Sequence, residues 1–221
     1  MKKQLMIGLG TGRCGTVSLY RLLNYQKNSN ISHESKPILK WEFDAKAIEI
    51  KLSAIMNKKG TYVGDVASYY LPYVGYILKK YPETKFVCLK RPKEEVVKSF
   101  TKHTNRWNWN HWINHYGNKW KKAGEWDDAF PKYNLDSKEE ALGRYWEDYY
   151  KEIKRLMKKY PRNIKVFQTT NLNNKSKVKE LLNFCNIEEE DQEVIVNIKD
   201  NRFGDRTFST RYFLWRANKI R

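Results

Sequence analysis

Apolar positions along the chain fall into two rhythms. Residues 5–9 form a short apolar run that ends in glycine, and Leu19, Leu22 and Leu23 then recur at helical spacing, so the chain opens as strand, tight loop, helix. Residues 30–33 read as a second short strand. Residues 43–56 carry apolar positions suited to a helix that stops near Lys58-Lys59-Gly60, and Thr61-Tyr62-Val63 begins a third strand. Leu71, Val74, Ile77 and Leu78 give a helical face closed by Tyr81-Pro82. Lys85-Phe86-Val87-Cys88-Leu89 has the unbroken character of a strand buried on both faces. Pro92 suits the first turn of a helix that buries Val96, Val97 and Phe100. A long amphipathic helix runs through Leu142, Tyr145, Trp146, Tyr149, Ile153, Leu156 and Met157 to Tyr160-Pro161. Residues 164–167 make one more strand, and Val178, Leu181, Leu182 and Cys185 one more helix. Strands separated by helical crossovers predict an α/β fold: a mainly parallel central sheet flanked by helices.

One stretch breaks the rhythm. Residues 103–136 hold Trp107, Trp109, Trp112, Trp120 and Trp126 among Asn, Lys and Gly, without a clear period. We read it as an irregular insertion or lid on a single domain spanning residues 1–221. Its flat rings and amides suit stacking on sugar faces; they suit equally well a plug over the core. No internal repeat suggests an array.

Composition narrows the setting. The 221 residues are 40% hydrophobic with 14% aromatic, which does not fit a disordered chain. A formal charge of +18, spread along the chain, makes anionic partners reasonable; the plainer account is that lysine dominates the solvated faces. Cys14, Cys88 and Cys185 are odd in number and far apart, as free thiols in a reducing compartment would be. The N-terminal apolar run is too short for a signal peptide, and no run reaches the roughly 18 apolar residues of a membrane span. A soluble, cytoplasmic protein is expected; oligomeric state is not legible.

The chemistry-bearing feature is Gly10-Thr-Gly-Arg-Cys-Gly-Thr-Val-Ser18, placed between a strand and a helix. There, glycines admit phosphate oxygens to backbone amides, and the helix N-terminus favours negative charge. Three phosphate-loop chemistries compete for it. A Walker A loop needs Lys and then Ser or Thr after its last glycine, but Thr16-Val17 follow Gly15, and Lys90-Arg91 stand where a strand would supply an Asp for magnesium. Gly10-x-Gly12-x-x-Gly15 also matches the dinucleotide fingerprint, with Glu34 near the distance of the ribose-binding acid, which makes an NAD(P)-binding oxidoreductase the alternative. In the third, Arg13 itself neutralises phosphate while a separate cationic element takes a second phosphate.

Arg13-Cys-Gly-Thr-Val-Ser-Leu19 resembles the 5'-phosphosulfate loop of sulfotransferases that use 3'-phosphoadenosine 5'-phosphosulfate (PAPS). Arg91-Pro-Lys-Glu-Glu-Val-Val-Lys-Ser99 is similar to that family's 3'-phosphate element. Eight helical steps leave Ser99 roughly 80° from Arg91 after two turns, so both reach one phosphate. Residues 141–150, 166–172 and 178–187 resemble the family's later helix, strand and helix. Val17 stands where the family often has threonine, and Arg91-Pro92 departs from the commoner Arg-Asp-Pro order. The resemblance implies a P-loop-like sulfotransferase fold with PAPS as co-substrate, PAP as product and no metal. It implies a donor site of Gly12, Arg13, Cys14, Gly15, Thr16, Val17, Ser18, Arg91 and Ser99, with Arg202 and Arg206 of a loosely matching C-terminal loop over the 3'-phosphate.

Sulfuryl transfer needs an in-line acceptor, a base for its proton, and positive charge where the leaving phosphate develops its own. Arg13 and the loop amides serve the leaving side. Glu34, after the second strand, is the preferred base, since relatives of this kind place a glutamate there; His33 and Asp65 are the alternatives, cytosolic relatives carrying histidine at the position of Asp65. The acceptor is expected to be a hydroxyl or amine compound, with a carbohydrate favoured. A basic nucleic-acid-binding protein would use the same charge and aromatics, but no RNP-like, KH-like or zinc-finger pattern is present, so no specific nucleic acid is expected.

Overall fold

A computed structural model describes residues 3–105, 124–133, 135 and 137–198. Five strands, β1 (Gln4–Leu9), β2 (Ser29–His33), β3 (Tyr62–Val66), β4 (Lys85–Lys90) and β5 (Ile164–Gln168), form one all-parallel sheet in the order β2-β3-β1-β4-β5. β3 is buried along its whole length and β1 and β4 nearly so, as strands covered on both faces must be. The covering helices are α1 (Thr16–Tyr25), α2 (Ala45–Met56), α3 (Val74–Lys80), α4 (Lys93–Asn105), α5 (Lys138–Lys159) and α6 (Lys175–Phe184). Right-handed crossovers put α1 on the opposite face from α2 and α3.

The expected elements are present, most with shifted ends. Asp44 caps α2 by accepting the Ala47 N–H at 3.0 Å, so the helix starts at Ala45 and Phe43 stays outside it. Residues 71–78 do not make one α-helix: Ser68–Tyr73 is 3-10, with Pro72 inside it, and α3 follows. Val97 is only partly buried, while Val96, Phe100 and Thr104 form the inner face of α4.

Of the irregular stretch, Trp126 closes a 3-10 turn, Gly124–Trp126, and its ring lies 6.5 Å from that of Tyr69. Ala129 and Phe130 are buried, with Phe130 edge-on to Phe100 at 6.0 Å. Trp107, Trp109, Trp112 and Trp120 lie outside the described residues. No helix among the described residues is long and apolar enough to cross a membrane.

The strand order creates one special place. From β1 the chain turns toward β2 and β3, whereas from β4 it leads to β5 on the other side. The carboxyl ends of β1 and β4 are neighbours, Leu9 facing Cys88, so their following loops diverge and leave a crevice between them.

Candidate active site

The wall of this crevice built by β1 depends on unusual backbone. Gly10 has φ +135° and Gly15 φ +100°. A Cβ on Gly10 would come within 2.6 Å of the Leu89 carbonyl oxygen, so only glycine lets the loop lie against β4. The Gly10 N–H donates to the Tyr149 hydroxyl at 2.9 Å, and that hydroxyl donates to the Ser68 carbonyl at 3.1 Å, tying the loop to α5. Arg13 is left-handed too, at φ 68°, a strained choice for a residue with a side chain.

Gly15 caps α1 without a side chain, so no capping hydroxyl or carboxylate occupies the first turn. The first-turn N–H groups have no carbonyl one turn earlier to bond, and they face the crevice through Thr16, Val17 and Ser18. Cys14 sits differently from its neighbours: its thiol is buried and pushed up to about 12 by desolvation, while its carbonyl accepts from Thr169 Oγ1 at 2.6 Å. Whatever Cys14 offers a ligand comes through its backbone.

From β4, Arg91 and α4 supply the second wall. Arg91 Nη1 donates to the Arg13 carbonyl at 3.2 Å, Arg91 Nε pairs with Glu95 at 2.8 Å, and the Arg91 carbonyl accepts the Trp146 indole N–H at 2.9 Å. Arg13 Nε in turn donates to Ser99 Oγ at 3.2 Å. The two basic segments therefore converge on one another. Burial, with Arg91 close by, disfavours the charge on Arg13, and Glu34 only partly offsets this. A half-buried arginine pair at an open helix N-terminus is a site whose energy falls when a polyanion enters.

At the end of β2, His33 and Glu34 complete the cleft, which has a volume of about 790 Å³. His33 Nε2 lies 3.1 Å from Thr16 Oγ1, and desolvation pulls the imidazole down to about 4, so it is neutral at physiological pH. Glu34 is left-handed at φ 50°, with its carboxylate 3.7 Å from His33 Nδ1. Burial, and then the neighbouring Asp65, raise Glu34 to about 7, against the opposing pull of Arg13 and Lys51. A carboxyl so placed is half-ionised at neutral pH, the condition for a proton acceptor.

Gly12, Arg13, Gly15, Thr16, Val17, Ser18, His33, Glu34, Arg91 and Ser99 all border this one cleft. Asp65 does not: it is fully buried on β3, where Tyr70 Oη donates to it at 2.8 Å and Lys51 Nζ lies 3.4 Å away. Arg202 and Arg206 lie outside the described residues. The cleft also has a third wall the motifs did not supply. Gln168, Thr169, Thr170 and Asn173, at the end of β5 and the 3-10 turn after it, border it, as do Glu95 and His103 of α4. The signal for that wall was present in Gln168-Thr169-Thr170-Asn171, polar residues directly after a parallel strand, where open α/β sheets place their ligands. Glu95 and His103 lie four residues to either side of Ser99 on α4, on the same face.

A family model described as a sulfotransferase domain matches residues 5–171. Among solved structures, a sulfotransferase from Alicyclobacillus acidocaldarius has a similar fold, with a TM-score of 0.58 and 17% identity over 97% of this chain and 92% of that one. A search of curated protein sequences finds no match.

Proposed function

The chain belongs to the sulfotransferase domain family, and from that premise we propose that it moves a sulfuryl group from PAPS to a hydroxyl or amine acceptor, with Glu34 as the base. PAPS brings a sulfuryl group on a phosphate that is already a stable leaving group. The residues present suit such a donor: two arginines of different segments, a serine hydroxyl and an uncapped helix N-terminus answer the two phosphate ends of one molecule. Arg13 and the first-turn amides of α1 hold the 5' end and neutralise the charge that develops there. Arg91 and Ser99 hold the 3'-phosphate, with Arg202 and Arg206 as further contacts from the C-terminal segment.

Glu34 takes the acceptor's proton. Burial in the cleft keeps its basicity high enough for the task. His33, neutral and bonded to the Thr16 hydroxyl, orients the phosphate loop against the base strand. Carbohydrates are the favoured acceptors, approached through the tryptophan-rich segment at 103–136.

The observation that carries this reading is the convergence of Arg13, Arg91, Ser99 and Glu34 on one cleft at the divergence of β1 and β4. Incubation with PAPS and a panel of glycans, phenols, amines and peptides, followed by mass spectrometry for the sulfate shift, tests it. Transfer by the wild type and none by Glu34→Gln is the expected result. Transfer retained by Glu34→Gln moves the base to His33, the other candidate that borders the cleft.

A further inference from the structure

A lysine buried beneath the active-site wall has no part in that mechanism. Lys51, on α2, has a side chain only 1% exposed, and Asp65, its partner on β3, is at 0%. Buried ion pairs rarely improve stability over apolar packing of the same volume, so one kept beside an active site invites a second explanation. Its contacts supply it. Lys51 Nζ donates to the Ser35 carbonyl, to the Pro37 carbonyl at 2.9 Å and to the Tyr69 hydroxyl at 3.1 Å. Asp65 accepts the Ser35 N–H on both carboxylate oxygens at 3.3 Å. The Glu34 N–H itself donates to the Val66 carbonyl at 3.1 Å. All but the Tyr69 bond fix main chain at Glu34 or in the three residues after it, the Tyr69 hydroxyl itself donates to the Ser35 carbonyl at 3.3 Å, and Glu34 is the residue held at positive φ.

We propose that the Lys51–Asp65 pair is a positioning device for Glu34, clamping the turn that carries the carboxylate and balancing the charge around it. Two opposite charges do this where a neutral pair would not. The lysine ammonium has three donors and meets two carbonyls and a hydroxyl with them, and the carboxylate receives the Ser35 amide. The two ends act on Glu34 in opposite senses, Asp65 raising it and Lys51 lowering it. The other charged and titratable groups around Glu34 belong to separate elements. They are Arg13 from the β1–α1 loop and His33 from β2; Lys58, after α2, bonds Ser32 Oγ and the Gly64 carbonyl and faces the Lys51–Asp65 pair. Arg91 and His103 border the same cleft. Removing one end of the pair leaves these groups in place, so the response of Glu34 reports the pair itself, through its charge and through the turn it holds.

The inference rests on Glu34 being the base, but its test does not need turnover. The Glu34 carboxyl is titrated by carbon-13 NMR in the full chain, with Glu34→Gln identifying the signal. Asp65→Asn is expected to move the midpoint down, and Lys51→Gln to move it up, each by roughly half a pH unit or more. PAP affinity, measured by calorimetry, stays within about twofold, which certifies the fold of each variant. A clamp that only stabilised the fold would leave the midpoint alone or shift it the same way in both variants, and either result overturns the proposal. Should Lys51→Gln fail to fold, Asp65→Asn decides alone, an unmoved midpoint being the negative answer. The base assignment fails separately, by sulfuryl transfer persisting in Glu34→Gln.

Discussion

Arg13 and Ser99, 86 positions apart, meet through a hydrogen bond of 3.2 Å from Nε to Oγ. Neither residue needs the other for its own element: Arg13 belongs to the loop that opens α1, and Ser99 to the partly buried side of α4 that borders the cleft. Their meeting joins the two halves of the proposed donor site, and it should make their contributions to binding interdependent.

Arg91→Ala therefore weakens PAP binding by about 1.5–3 kcal/mol, the range for a hydrogen bond to a charged group, and Ser99→Ala by about 0.5–1.5 kcal/mol. If both act on one phosphate, as proposed, the double variant should lose less than the sum. Calorimetric titration of PAP into the three variants measures this, and strict additivity would place the residues at separate phosphates.

Tyr149→Phe tests the anchor of the phosphate loop. The phenol takes the Gly10 N–H at 2.9 Å and gives its own proton to Ser68 at 3.1 Å, both in the core. Losing it strands a buried donor and a buried acceptor, so chemical denaturation should find the variant about 1–3 kcal/mol less stable. An unchanged midpoint of unfolding would mean that the loop holds its shape without α5.

With Glu34 as the proposed base, activity should rise with pH through about 7 and then level, as its carboxyl ionises. Initial rates at saturating PAPS from pH 5.5 to 8.5 give the profile. A rate already level from pH 5.5 would point to an unshifted carboxylate and contradict the burial of Glu34.

The same group weakens the fold at high pH. Its folded value, about 7, exceeds that of an unfolded glutamate, about 4.3, so the folded protein holds the extra proton between them and stability falls as pH rises through that window. His33 has the reverse shift, down to about 4 from about 6.5, and its contribution grows with pH over most of the same range. The two offset each other up to about pH 6.5. Glu34→Gln should thus be more stable than wild type at pH 8, by roughly 1–3 kcal/mol, with little gain at pH 4.5. Denaturant unfolding at the two pH values decides, and equal differences at both would remove the buried charge as the cause.

The sheet and most of its helices were legible because burial on both faces writes itself as apolar runs, as in Lys85-Phe86-Val87-Cys88-Leu89, and because one-sided burial gives α5 its four-residue recurrence. Pro72 is the exception: it sits inside a segment whose apolar spacing looks helical, and the backbone answers with a 3-10 turn that periodicity cannot distinguish. The glycine loop between β1 and α1 was legible since its glycines and Arg13 lie close together in the sequence. Asp65 was not. In sequence it is an acid after a strand and qualifies as a base, but its neighbours Lys51, Tyr70 and Ser35 come from three other segments, and only folding turns it inward. Thr169 and Thr170 were visible as a polar pair, yet their place at the cleft, and that of Thr169 against Gly15, depends on β5 lying beside β4.

The central claim is that this cleft is built for the two phosphate ends of a PAPS-type donor. Thermal unfolding with PAP, NADH and an oligonucleotide in parallel tests it most directly, on wild type and on Arg13→Ala. PAP alone should raise the melting temperature of the wild type, and that rise should be lost in Arg13→Ala; a rise with NADH and none with PAP would contradict the account.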